Sequence, residues 1–384
     1  MSASNELYES WIENAISNQH IQLFSHGDFI NKDKCGKGGL GQIKCANWQY
    51  SDGKVALKEL FDYNVQRFVQ EVKMHISCHW SEYVVRFFGL TKESPNDKYM
   101  MVMEYANFQS LRNFLKVKGV TNIDWKVRFK LSLDIAKGLN CLHSRKIIHR
   151  DLHTDNIVIN QIYWNKNCCQ PKFIAKITDF GEAIFRDEIL SDDKGFGQPE
   201  FTDPNYLNSR IKRDERSDIY GLGVIFWEIS SGKMPFENHA RHSQNDIINL
   251  TIQIINGKRE EVPQQTPKLY SQLYQDCWVL DQSKRPTLEN IIRVLNVFKT
   301  EYREVDTSTD EENNNAQQDN VSNNSNEMEA DNETYVTDNN LHDLDTQLKP
   351  LEATYTFNLD YVKAFLVEVI HRNIDQNKCQ SEKQ

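Results

Sequence analysis

No two cysteines in this 384-residue chain stand at C-x-x-C spacing. The eight thiols (Cys35, Cys45, Cys78, Cys141, Cys168, Cys169, Cys277 and Cys379) follow no framework. The spacing gives no sign of a disulfide-stapled scaffold and suits a reducing compartment such as the cytoplasm. No basic-then-apolar leader follows Met1, so no secretory signal is expected. The most apolar run, Ile219 to Ile229, is too short to cross a bilayer and is broken by Glu228, so no membrane partner is expected. No internal repeat is present. Positive charge is scarce in the last part of the chain, where residues 301–384 hold 19 acidic and 6 basic side chains. The preceding 300 residues carry 36 acidic and 39 basic side chains, a near balance that gives no reason to expect a nucleic-acid surface.

What is present divides the chain. Residues 6–19 place Tyr8, Trp11, Ile12, Ala15 and Ile16 on one helical face, which sets residues 1–26 apart as a helical extension. Short β-prone runs separated by glycine turns fill Phe29–Lys58, with Asp52-Gly53 as a hairpin signal. Phe68–Ser77 reads as helix and Tyr99–Tyr105 as strand. From Asp124 onward helical spacing takes over, through Leu131, Ile135, Leu139 and Leu142. Asp218–Ile229 is apolar nearly all round, as a helix buried inside a large lobe would be. Leu288–Phe298 closes the compact region. Strands early and helices late predict an α+β arrangement, with a small β-rich lobe over about 27–103 and a large helical lobe over about 107–298. Residues 299–354 are acidic and Asn-rich and too poor in apolar groups to offset ordering, so they are expected to be disordered. Residues 355–384 regain an apolar stripe (Leu359, Val362, Leu366, Val369, Ile370, Ile374), with docking on the chain's own lobe, binding to a partner or a weakly ordered terminus as the alternatives.

The chemistry lies in an ordered set of motifs. Gly36, Gly38, Gly39 and Gly41 sit between two β-prone runs. Backbone N–H groups can approach phosphate oxygens there without a Cβ in the way. A dinucleotide site would instead open a helix at its last glycine. Lys58 ends the apolar strand Val55-Ala56-Leu57-Lys58 and needs an anionic partner. Glu71, in a helical stretch, is the candidate, whereas Glu59 faces the other side of the strand. His149-Arg150-Asp151 follows, then Asn156, then Asp179-Phe180-Gly181. Asp151 suits a base that receives a hydroxyl proton during attack on phosphorus. Asn156 and Asp179 offer hard oxygen ligands for Mg²⁺.

With these residues in place, the chain resembles the eukaryotic protein kinases, and among them the tyrosine-kinase-like group. The closer likeness rests on Met103-Glu104-Tyr105-Ala106, on Asp134–His143, on Ile148–His153, on Asp218–Glu228, and on Cys277-Trp278 ahead of Arg285-Pro286-Thr287. The resemblance covers about 27–298. It implies the bilobal kinase fold and transfer of the γ-phosphoryl of ATP, with Mg²⁺, to hydroxyls of protein substrates, serine or threonine first. It implies an ATP site drawn from Cys35, Gly36, Gly38, Gly39, Gly41, Ile43, Ala56, Lys58, Met103 as gatekeeper, Glu104, Ala106 and Val158. Asp151, Lys58, Glu71, Arg150 and His153 form the implied catalytic set, and Asp218 braces the catalytic loop. The alternatives are a nucleotide-binding scaffold with little catalysis, or tyrosine or dual specificity.

Four departures from the family pattern stand out. His153 occupies the position where a lysine usually meets the γ-phosphate. Gln198 stands where a threonine is usual, and the two changes together suggest one rebuilt polar contact. Asp203-Pro204-Asn205 replaces Ala-Pro-Glu, leaving Arg285 without the family's glutamate. Tyr163–Pro171 looks like an inserted surface loop. Ser191 is the expected site of any activating phosphorylation.

Overall fold

The computed structural model describes residues 3–37, 41–50, 53–60, 64–94, 98–162, 172–187, 197–209, 212–239 and 243–298. The expected linker, the C-terminal helix, the Tyr163–Pro171 insertion and Ser191 lie outside them. The β-prone runs of the first hundred residues form one six-stranded sheet. Its strands are β1 (Leu23–Ser25), β2 (Phe29–Lys37), β3 (Gly41–Trp48), β4 (Lys54–Leu60), β5 (Phe87–Lys92) and β6 (Met100–Glu104). The order is β1-β5-β6-β4-β3-β2, antiparallel except for the parallel pair β1–β5. One sheet face buries Phe29, Ala46, Trp48, Val55, Leu57 and Val102, with Phe24 and Phe88 against them. Helix α1 (Ala3–Ser17) and helix α2 (Val65–Ser77) complete this unit, which comprises the chain to His79 together with Arg86–Tyr105. Asn64 caps α2 by accepting from the Arg67 N–H.

The second unit takes Trp80–Val85 and the chain from Ala106. It holds α3 (Leu111–Lys118), α4 (Trp125–Ser144), the strands β7 (Ile147–Ile148), β8 (Ile157–Ile162), β9 (Lys172–Ile177) and β10 (Ile184–Phe185), then α5 (Pro204–Ser209), α6 (Glu215–Ser231), α7 (Gln244–Ile255) and α8 (Lys268–Cys277). A last helix, α9, runs over 288–298. Helix α6 is buried without interruption from Ser217 to Ser231, as its all-round apolar sequence predicts. An Asp214–Ser217 capping box starts it, and Gly232, at φ 67°, stops it. Tyr270 of α8 packs edge-on against Phe129 of α4, which stacks on Phe298 of α9 with centroids 4.2 Å apart. The chain is thus α+β, with a β-sheet unit and a helical unit. Among the described residues no helix is long and apolar enough to cross a membrane.

Candidate active site

In the sheet unit, register places the motif residues side by side. Ile43 pairs with Lys58, Cys45 with Ala56, and Ala56 in turn with Met103 of β6. Gly36 lies in β2 opposite Ile43, whereas Gly38 and Gly39 lie outside the described residues. Gly41 has its own reason to be glycine, because a Cβ there would stand 2.3 Å from the Glu59 carbonyl oxygen of β4. Cys35 sits at the β2 irregularity between Lys34 and Gly36. Burial, with the neighbouring Cys45 thiol adding to it, pushes its thiol up to about 12, which disfavours the nucleophilic thiolate. Glu104 turns its carboxylate back to accept from the Arg86 N–H at 3.2 Å.

Lys58 is 3 % exposed, and its Nζ donates to Glu71 Oε1 at 2.5 Å. The carboxylate is equally buried, so neither charge could remain there without the other. Glu59 instead meets Lys44 at 3.3 Å, on the opposite side of the strand. His75, one turn beyond Glu71, lies fully buried 4.0 Å from the same carboxylate oxygen and stacks on Phe87.

The catalytic-loop residues belong to the helical unit. Asp218 of α6 accepts from the backbone N–H groups of His149 and Arg150, both at 2.9 Å, and meets His143 Nε2 at 2.8 Å. Burial alone would raise the Asp218 carboxyl. The hydrogen bond and charge of His143, with His149 adding, outweigh it and hold the group below the usual carboxylate range. This brace holds Arg150 at φ 67°, a conformation that costs a non-glycine residue about 1 kcal/mol or more. His149 accepts from the Asp151 N–H through Nδ1 and donates from Nε2 to the Thr178 carbonyl at 3.1 Å.

Asp151 is gripped from two sides. The Asn156 amide donates to its carbonyl oxygen at 2.9 Å and to Oδ2 at 3.2 Å. With the NH₂ so committed, the amide oxygen is the Asn156 group suited to a cation. His153 Nδ1 accepts from the Asp155 N–H, which puts the ring proton on Nε2, 3.4 Å from Asp151 Oδ2. Burial would raise the Asp151 carboxyl, and Asp179 adds to that push. The His153 hydrogen bond and the favourable electrostatics of the His153 and His149 rings prevail, so the carboxyl titrates below its ordinary value. Asp179, at φ 62°, accepts from the Gly181 N–H through Oδ1. Val158, in β8, is half-buried.

Two expectations change. Gln198 does not rebuild a contact with His153, because among the described residues its side-chain oxygen meets Arg112 Nη1 at 3.4 Å. The neighbour of Asp151 is Gly197, where a Cβ would come within 2.8 Å of Asp151 Oδ1. Nor is Arg285 left without a carboxylate. Asp203, two residues before Asn205, takes both of its terminal guanidinium nitrogens at 2.5 and 3.0 Å. Asn205 serves that ion pair by donating to Asp203 Oδ1 at 3.1 Å and to the Leu280 carbonyl at 2.9 Å. Thr202 is buried with its hydroxyl on the Gln198 carbonyl.

Sequence reasoning missed Arg112. From α3 its guanidinium reaches Asp155 at 2.8 Å and Glu228 at 3.1 Å, and Thr154 donates to Glu228 at 2.9 Å. Arg112 thus fastens the turn after Asp151 to α6. Its partners lie 43 and 116 positions away in sequence, beyond any spacing pattern.

Comparison with known proteins agrees with this geometry. Residues 29–295 match the family model for the protein kinase domain. The chain is 29% identical over 275 residues to the serine/threonine-protein kinase CTR1 of Arabidopsis thaliana, covering 70% of this chain and 31% of that protein. It is 27% identical over 326 residues to a probable serine/threonine-protein kinase of Dictyostelium discoideum, covering 81% of this chain and 36% of that protein. A third relative, the probable serine/threonine-protein kinase pats1 of the same organism, is 31% identical over 272 residues, 67% of this chain and 8% of its own length. The chain therefore spans about a third or less of the length of these relatives.

Proposed function

This chain belongs to the protein kinase family, and from that premise we propose that it is an active serine/threonine-protein kinase of the tyrosine-kinase-like group. It transfers the γ-phosphoryl of ATP to hydroxyl groups of protein substrates. The observation that carries this reading is the buried pair between Lys58 and Glu71, 2.5 Å apart. Spacing in the sequence names the two residues but cannot bring them together. Holding two desolvated charges in that register is costly, and the arrangement it yields is the one a phosphate-directed lysine needs.

Each residue then has a task. Lys58, aimed by Glu71, neutralises the α- and β-phosphates, and the glycine-rich sequence from Gly36 to Gly41 suits backbone N–H contact with them. Ala56, Met103 and Glu104 of the sheet unit serve the adenine. Asp151 orients the acceptor hydroxyl and takes its proton as the oxygen attacks the γ-phosphorus, whose bond to the β–γ bridging oxygen breaks to release ADP. The proton's destination is Asp151 Oδ1 or Oδ2, ionised at neutral pH because its carboxyl is held low. The oxygens of Asn156 and Asp179 suit Mg²⁺, which when bound neutralises phosphate charge. His153, at the position where a lysine is usual, keeps its Nε2–H on the Asp151 carboxylate and so helps hold that group ionised. Serine/threonine specificity draws support from the relatives' names and from the absence of an arginine at 153 or 155. The test is transfer from γ-labelled ATP to mixed protein acceptors, followed by residue mapping. Phosphoserine and phosphothreonine are expected; phosphotyrosine as the main product would overturn the specificity.

A further inference from the structure

Helix α2 carries Glu71, and its burial has an unusual extent. Every residue from Glu71 to Ser77 is buried, two full turns of helix. A helix lying against a sheet has one covered face and one wet face, so burial on all sides requires a second cover. Helix α1 supplies it. Tyr8, Trp11, Ile12 and Ala15, at 7, 1, 0 and 0 % exposure, recur at helical spacing along one face of α1. This segment lies ahead of residues 29–295, the part matched by the kinase domain family.

The contact between the two helices is chemically specific. Lys73 is 1 % exposed, a burial lysines rarely reach without compensation. Its Nζ stands over the Trp11 ring, 4.9 Å from the centroid, where the face of the indole attracts a cation. Lys73 follows Glu71 by two positions, about 200° around a helix of 3.6 residues per turn. The Lys58–Glu71 pair and the Lys73–Trp11 contact therefore sit on opposite faces of α2. Turning α2 to swing Glu71 off Lys58 would drag the ammonium from the indole.

We propose that Trp11 is a positioning residue for phosphoryl transfer, acting through Lys73 to hold α2 in the rotation that keeps Glu71 on Lys58. This rests on the kinase reading above. The α1 segment is then a built-in part of the catalytic apparatus rather than an appendage.

The experiment compares the full chain with Trp11→Ala, Trp11→Phe and Lys73→Met. It measures kcat, KM for ATP and backbone amide exchange across 65–77, with thermal unfolding as the folding control. Trp11→Ala is expected to lower kcat by about 10- to 100-fold, the scale of a catalytic group displaced by around 1 Å. Trp11→Phe, which keeps a ring face, should recover most of it, and Lys73→Met should fall between. In a Glu71→Gln background, Trp11→Ala should add less than about twofold, because the pair it serves is already broken. Amide exchange across α2 should rise in Trp11→Ala. Wild-type kcat in Trp11→Ala, or a full additional loss on top of Glu71→Gln, would overturn the proposal. If Trp11→Ala does not fold, Lys73→Met, which keeps the volume, decides by the same two criteria. A wild-type chain that transfers no phosphate would sink the kinase reading instead. Unchanged amide exchange in Trp11→Ala would count against the clamp whatever the catalytic result.

Discussion

Replacing Asp203 with asparagine should cost the helical unit about 3–5 kcal/mol, because Arg285 would keep its charge in a site with no carboxylate. Both side chains of the pair are fully buried, and the contact is two-pronged at 2.5 and 3.0 Å. Arg285 also donates to the Val279 and Arg216 carbonyls, so it cannot swing out to water without losing those bonds. At roughly 2–4 °C per kcal/mol for a unit of this size, the unfolding midpoint should drop by about 6–20 °C. Acid should narrow the difference. Burial would raise the Asp203 carboxyl, but Arg285, Asn205 and Gln282 hold it below the ordinary value. A carboxyl lowered on folding contributes stability above its unfolded pKa, about 3.9, and loses it as pH falls through the folded value. Asparagine has no such dependence, so the gap should be constant from about pH 5 to 8 and shrink below about pH 4. The double variant Asp203→Leu with Arg285→Met should cost much less than the single change, since an apolar pair of similar bulk leaves no buried charge. Urea unfolding of the three proteins at several pH values provides the measurement. A single variant within about 1 kcal/mol of wild type at neutral pH would refute the assignment of Asp203 as the partner of Arg285.

Other perturbations probe the site itself. Gly197→Ala puts a methyl within 2.8 Å of Asp151 Oδ1, so kcat should fall by about 10²-fold with nucleotide affinity kept; an unchanged kcat would mean that Asp151 yields freely. His153→Ala removes a group that lowers the Asp151 carboxyl and leaves the burial that raises it. The acid limb of kcat/KM should therefore begin at higher pH than in wild type, and coincident pH–rate profiles would count against the contact. Arg112→Ala leaves Glu228, 2 % exposed, without its guanidinium and should cost about 3 kcal/mol in denaturant unfolding. A loss within error of zero would reduce Arg112 to a solvated surface residue.

How far the sequence reaches can be judged from particular residues. Local periodicity located α4 and α6, because an apolar stripe or an all-apolar run follows from burial along one element. It also found the apolar face of α1. What covers that face did not follow, since α2 lies more than forty residues away and periodicity names a face without naming its partner. The catalytic loop was legible because its chemistry needs residue types at short fixed spacings. The Arg285 partner was not, because the pairing shifted by two positions from Asn205 to Asp203 and only packing reveals which carboxylate is in reach. Gln198 and His153 looked coupled because both depart from the same pattern, yet Gln198 turns to Arg112.

The most direct test of the account is phosphoryl transfer by the purified full chain beside Asp151→Asn, with nucleotide affinity measured in parallel. In the proposed role Asp151 is a proton acceptor and holds neither the adenine nor the phosphates. The account therefore predicts transfer by the wild type, loss of at least about 10²-fold in the variant, and ATP affinity within a few-fold. Equal transfer by both proteins would contradict the role given to Asp151, and ATP binding with no transfer by the wild type would contradict the enzyme.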